Sequence, residues 1–284
     1  MPEANLKQCF MQLGFVLLCL LSQGCASNTP QTIASDIADK WFKSTELKGG
    51  EFVLQVYYRF DQLEAPLSVY IEGDGKAWLN KNRASRNPSP RNPIGLSLAV
   101  RDPGKNVMYI ARPCQYVSFE KNPQCDYTYW TNRRFAPEVI ASVSAVIDLG
   151  KKKAKASKVN LIGYSGGGAV AVLAAARRSD VTSIRTVAGN IDHRVWTKQH
   201  KVDSLNGSLN AADVADKVSA ISQIHYVGER DKVIGRYVTE SFIFKAGSEN
   251  CIQLKMVSGA THTKGWETLW PKLIREKLPI CGEK

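Results

Sequence analysis

The chain has 284 residues, 44% hydrophobic and 23% charged, with a formal net charge of +12. These are ordinary proportions for a globular protein with a substantial core, of a length for one large α/β domain or two small ones, and no repeat shows at a fixed period. The positive balance suits nucleic acid, an anionic membrane surface or solubility alone; with no zinc-finger or RNP-type signature beside it, nucleic acid is not expected as a partner.

Residues 13–21, LGFVLLCLL, form an apolar run too short to span a bilayer but of the length of a signal-peptide core. SQGCASN follows. A small residue before a cysteine, just past such a core, resembles the lipobox of bacterial lipoproteins. The resemblance implies removal of residues 1–24, acylation of Cys25 as the mature first residue, and membrane anchoring through it. Ala26 rather than aspartate after the cysteine implies an outer-membrane lipoprotein on the periplasmic side. The pattern departs at Ser22, where leucine is usual, so plain signal cleavage after Gly24 stays open. Residues 25–49 read as a tether and N-terminal segment ahead of a domain over 50–284.

Of seven cysteines, Cys9 and Cys19 leave with the signal and Cys25 is the anchor, which leaves Cys114, Cys125, Cys251 and Cys281. An even set in an exported chain predicts two disulfides. Of the three pairings, Cys114–Cys125 and Cys251–Cys281 each close a local loop and are favoured. No C-x-x-C occurs and the cysteines do not cluster with histidines, so a metal site is not expected.

Within the domain, FVLQVYYRF (52–60) and LSVYIEGD (67–74) are rich in β-branched and aromatic residues and read as two strands joined by a short loop. NVMYIAR (106–112) is a third strand. Residues 137–152 carry apolar positions at helical spacing and end in glycine and lysines. KVNLIGY (158–164) has the continuous apolar character of a strand buried on both faces, and 166–179 is helical by composition. Strands follow at 183–190, 223–229 and 251–259, and a last helix at 264–278, interrupted near Pro271. Strands alternating with helices predict a mostly parallel central sheet with helices on both faces. Two long irregular segments, 76–93 and 191–220, read as covers or as variable insertions.

Between the 158–164 strand and the next helix lies Gly163-Tyr164-Ser165-Gly166-Gly167, a G-x-S-x-G pattern in strand–turn–helix context. A sharp turn at a nucleophilic serine needs minimal side chains two residues either side, which Gly163 and Gly167 provide. Gly168 and Ala169 let the helix pack close to the sheet. A phosphate loop would need lysine where Ala169 stands, and a dinucleotide fingerprint would need glycine where Ser165 stands.

The hydroxyl needs a base and the base an orienting acid. His225 lies inside a strand and reads as a core residue. His193 and His200 lie in the 191–220 segment, where Asp192 and His193 read as a cap. His262 follows the last strand on a loop. Asp231 follows the preceding strand; its competing reading is a helix N-cap at DKVI, and Glu229, Asp203, Asp213 and Asp216 are weaker acids. The order Ser165, Asp231, His262 is that of the α/β-hydrolases, which the chain resembles over roughly residues 50–280. YIARPCQYV, YWTNRRFAPEV, GYSGGGAV and VAGNIDHRVWT also resemble a group of lipoprotein hydrolases.

This resemblance implies the α/β-hydrolase fold and cleavage of a small-molecule or lipid-like ester through an acyl-enzyme, with no cofactor. The oxyanion would be held by the N–H of Gly166 and one from YIEGDGKAW (70–78), which resembles the loop after strand three of that fold and carries Glu72-Gly73-Asp74-Gly75 in place of H-G-G-G; Asp74 or Gly75 is the expected donor. Tyr164, Trp130 and Arg133 are candidate substrate-lining residues. The missing H-G-G-G and the basic 76–93 segment also suit an envelope binding protein of this fold with little turnover, and acyl transfer would use the same residues.

Overall fold

The computed structural model describes residues 28–80, 82–247 and 251–281. The expected signal segment and Cys25 lie outside the described residues.

An eight-stranded sheet runs through the centre. Its strands are β1 (Lys43–Gly49), β2 (Phe52–Phe60), β3 (Leu67–Ile71), β6 (Asn106–Ile110), β7 (Val159–Tyr164), β8 (Val181–Val187), β9 (Ser222–Gly228) and β10 (Ile252–Val257). A separate small hairpin is made by β4 (Trp78–Asn80) and β5 (Arg83–Ala84). The order across the large sheet is β1-β2-β6-β3-β7-β8-β9-β10. β1 and β2 pair antiparallel, as do β2 and β6, and every other pairing is parallel.

Side-chain alternation divides the core. Val69, Met108 and Leu161 face one layer with α3 (Pro137–Ala154), α4 (Gly166–Ala175) and α6 (Arg236–Ala246). Tyr70, Tyr109 and Ile162 face the other, with α1 (Pro30–Ala38), α2 (Ile94–Ala99) and α7 (Trp266–Leu273). α3 begins with proline at its first positions, carries Glu138 in its first turn and Lys151, Lys152 and Lys153 in its last, so its ends complement the helix dipole. All ten residues of α4 are buried and none is polar beyond the backbone, as a helix enclosed on every side requires.

Several elements differ from the sequence reading. The segment 25–49 is not a plain tether where it is described: α1 packs Ala34 and Ala38 into the core, and β1 extends the sheet edge. β2 and β3 are the two strands joined by a short loop that the sequence predicts, and β6 lies between them in the sheet, antiparallel to β2 and parallel to β3. The 191–220 segment holds α5 (His193–His200) and two short 3-10 turns. α2, only six residues and wholly buried, is too short to show a period. α6 buries Val238, Phe242 and Ala246 at helical spacing, but its aromatic and β-branched content obscures the pattern. α7 includes Pro271 and ends at Leu273.

The structure pairs Cys114 with Cys125, Cα atoms 5.8 Å apart, and Cys251 with Cys281, 4.7 Å apart. The first closes the loop after β6; the second ties the start of β10 to the last described residue.

The parallel pairing brings the carboxyl ends of the central strands to one edge. Ile71 of β3 is registered with Gly163 of β7, Tyr164 with Val187 of β8, and Gly228 of β9 with Val257 of β10. The loops that leave these ends therefore share one space, the place where open α/β sheets hold ligands.

Candidate active site

Ser165 joins β7 to α4 with φ 50° and ψ −120°, a conformation a non-glycine residue adopts only when its surroundings enforce it. A Cβ at Gly163 would run into the carbonyl of Gly167, and one at Gly167 into the carbonyl of Ile71, so the turn closes only with glycine at both. Its backbone is fully engaged. The Ser165 N–H donates to the Val187 carbonyl at 2.9 Å, and its carbonyl accepts from Gly168 at 3.0 Å and Asn190 at 2.9 Å.

The Ser165 hydroxyl lies 3.1 Å from His262 Nε2, and His262 Nδ1 lies 2.9 Å from Asp231 Oδ2. The Asp231 side chain is fully buried, while that of His262 retains 16% exposure. No helix starts at Asp231; its Oδ1 instead accepts the N–H groups of Val233 (2.7 Å) and Ile234 (2.9 Å) in a turn, while Oδ2 faces the imidazole. The His262 carbonyl accepts from Tyr164 Oη at 3.0 Å and from Trp266 Nε1 at 3.1 Å, which pins the loop from two sides.

The other histidines and acids are placed elsewhere. His225 is buried with Nδ1 2.8 Å from Thr186 Oγ1, and burial pushes its pKa down to about 3. His200 Nε2 lies 2.9 Å from the Val233 carbonyl. Asp192 caps α5 by accepting from Arg194 N, and also accepts from Asn210, Ser241 and Lys245. His193, which follows it, is buried; neither ring nitrogen has a partner among the described residues, and burial lowers its pKa. Glu229 accepts from Ser258, and Asp213 pairs with Arg194.

The loop after β3 faces the elbow. A Cβ on Gly73 would fall 3.2 Å from Ser165 Cβ, so this glycine lets the loop reach the serine. Its own N–H donates to Glu72 Oε1 at 2.9 Å and is thereby taken. The carboxylate of Asp74 lies against the Cα of Gly166, while Gly75, at φ +65°, turns toward the carbonyl of Pro88. The Asp74 N–H donates to no acceptor among the described residues. The Gly75 N–H likewise donates to no acceptor among the described residues, so both expected loop donors are unpaired beside the elbow.

Two buried carboxylates hold this loop. Asp74 receives Arg134 Nη1 at 2.7 Å and Arg112 Nη1 at 3.1 Å. Burial alone would raise its pKa, but the two guanidinium groups outweigh that and hold it below the usual aspartate range. Arg112 also donates to the Arg134 carbonyl and lies 5.4 Å from the Phe135 ring centroid. Glu72 accepts from the N–H groups of Gly73, Gly95 (3.2 Å) and Leu96 (3.4 Å) and from Tyr109 Oη (3.0 Å). It therefore caps α2 from a distant strand. Burial raises its pKa, and these hydrogen bonds only partly offset the rise.

Tyr164 packs on His262, ring centroids 5.6 Å apart. Trp130 is buried, stacks on Phe119 and donates to the Ser85 carbonyl at 3.1 Å, so it holds the cover segment. Arg133 is not aimed at the site. It bonds Glu138 and lies 4.6 Å from the centroid of the Tyr129 ring; the neighbouring Arg134 is the one that turns inward. Sequence reasoning missed Glu72 and Arg112 because their partners are distant in the chain. The only signal for Arg134 was its place in the basic, aromatic run 127–135.

No family model matches the chain, and no curated protein matches it in sequence. Solved structures match it in fold. The esterase Pf2001 of Pyrococcus furiosus superposes with TM-score 0.58 at 12% identity, over 87% of this chain and 93% of that one. An alpha-beta serine hydrolase homologue from Coxiella burnetii gives 0.56 at 14%, over 81% and 93%. XC6422 of Xanthomonas campestris, described as an a/b serine hydrolase without lid, gives 0.53 at 14%, over 84% and 96%. The chain has the α/β-hydrolase fold.

Proposed function

We propose that this protein is a serine hydrolase of the bacterial cell envelope that cleaves an ester through an acyl-enzyme. The observation that carries the reading is the hydrogen-bonded series Ser165–His262–Asp231 on a strained elbow. Ser165 Oγ attacks the ester carbonyl as His262 Nε2 takes its proton. Asp231 holds Nδ1–H and stabilises the imidazolium. The proton then passes to the departing alcohol, and water repeats the sequence to release the acid. The N–H of Gly166, at the positive end of α4, and that of Asp74 or Gly75 hold the oxyanion. Export and lipidation at Cys25 rest on the lipobox-like SQGCASN and the even cysteine set.

A fluorophosphonate probe is expected to label the wild type and not Ser165→Ala. Equal labelling of both overturns the reading. Incorporation of labelled palmitate lost in Cys25→Ala tests the anchor separately.

A further inference from the structure

The basic segment that follows the oxyanion loop borders a half-open cleft of about 750 Å³. Lys76, Arg83, Arg86 and Arg91 line it with Ser89 and Leu79, and no described carboxylate does. None of these four cations forms an ion pair with a described carboxylate, whereas Arg112, Arg134 and Arg178 all do. Four like charges around one concavity repel each other in the empty state and gain most from an anion. Guanidinium groups present paired donors that match phosphate oxygens.

The frame is built rather than loose. Ser85 N donates to Ala77 O, and Ser85 O accepts from Trp130. Ser89 N donates to Asn87 Oδ1, and Ser89 Oγ accepts from Tyr116 N at 2.8 Å. Tyr116 Oη donates to Pro90 O, and Lys76 N to Pro88 O. Lys76 lies two residues beyond Asp74, at most about 7 Å along the chain, so one wall of the cleft is continuous with the loop that faces Ser165. On the same hairpin Trp78 and Leu79 are 46% and 40% exposed, an apolar rim beside a cationic wall.

We propose that this cleft binds a phosphate-type anion and selects, for the site at Ser165, amphiphilic esters that carry one. The selection half rests on the hydrolase reading; the binding half stands without it. No bond is made or broken in the cleft. Its cations hold the head group while the ester reaches the serine.

The full chain in uncharged detergent carries the test. Calorimetry in the Ser165→Ala background uses inorganic phosphate and dihexanoyl phosphatidic acid as probes. Arg83→Gln/Arg86→Gln is expected to weaken binding at least 10-fold. Lys48→Gln/Lys152→Gln, which removes the same charge from exposed positions elsewhere, is expected to leave it unchanged. Cleft-dependent binding of phosphate points to a free anion as sufficient, and of phosphatidic acid alone to a lipid head group; either supports the site. No binding of either probe, or an equal loss in the lysine control, overturns it. With Ser165 restored, the arginine variant is expected to raise KM for dihexanoyl phosphatidic acid about 10-fold with kcat, and turnover of uncharged dihexanoylglycerol, unchanged. An unchanged KM overturns the selection. Fluorophosphonate labelling that ignores Ser165 overturns the hydrolase reading and leaves the calorimetry to decide the binding site.

Discussion

The elbow at 163–168 and the loop at 72–75 close on each other from adjacent strand ends, Gly163 registered with Ile71, yet different physics holds them. The elbow is local. Its strain at Ser165 is accommodated by glycines within two residues, and its backbone bonds reach only the next strand's end. The loop is held from afar by Arg112, Arg134 and Gln115, the last donating to the Gly73 carbonyl at 3.0 Å. A strained turn can thus be written in a few consecutive residues, while the surface opposite it depends on charges supplied by other loops.

Asp231→Asn tests the local side. Asn retains the oxygen that fixes the turn through Val233 and Ile234 but can present an amide to His262 Nδ1, favouring the wrong imidazole tautomer. Ester turnover is expected to fall about 10⁴-fold with the fold intact. A loss under about 10-fold, measured on p-nitrophenyl acetate, would mean that Asp231 serves only its turn.

Arg134→Met tests the distant side. It leaves a largely buried Asp74 carboxylate with one guanidinium in place of two; Arg112 still compensates the charge, so the expected loss is that of one charged hydrogen bond, about 1.5–3 kcal/mol. Urea unfolding at pH 7 is the measurement. The sign of the pH effect follows from Asp74's depressed pKa. In the wild type its contribution is present above the ordinary aspartate value, about 3.9, and is lost as pH falls through the lower folded value. In the variant the carboxyl protonates more readily, so the gap between the two proteins narrows toward low pH. A gap that widens on acidification would show that Arg134 acts through something other than Asp74.

This contrast also explains what was legible in the sequence. The elbow, the parallel core strands and the order Ser165, Asp231, His262 were readable because glycine spacing, apolar runs and strand-end positions are local signals. The inserted position of β6 was not, because strand order is fixed by packing between segments far apart. Arg133 and Arg134 are adjacent and chemically identical. Arg133 pairs with Glu138 five residues on, and only the tertiary position of Asp74 draws Arg134 inward. Glu72 shows the same limit, because its cap on α2 joins residues 72 and 95 with no local capping signature.

Glu72 and Asp74 are neighbouring carboxylates on one loop with opposite needs, and Glu72→Gln is the mildest change that separates them. Burial raises the Glu72 pKa, so folding makes this carboxyl harder to ionise. Stability from this group is full below the ordinary glutamate value, about 4.3, and is lost as pH rises through the higher folded value. Gln stays neutral throughout. Its oxygen can keep the Gly73 and Gly95 N–H groups, and its amide can donate to Tyr109 Oη once that hydroxyl rotates; the long contact from Leu96 is the one forfeited. Losing that contact and removing an ionised group from the core oppose each other, so stability at pH 7 is expected to change by less than about 1 kcal/mol. Urea midpoints at pH 5 and pH 8 should lie closer together in the variant than in the wild type. A loss above about 2 kcal/mol at pH 7 would show that the charge at Glu72 is needed for the helix it caps, and the two carboxylates would then be alike.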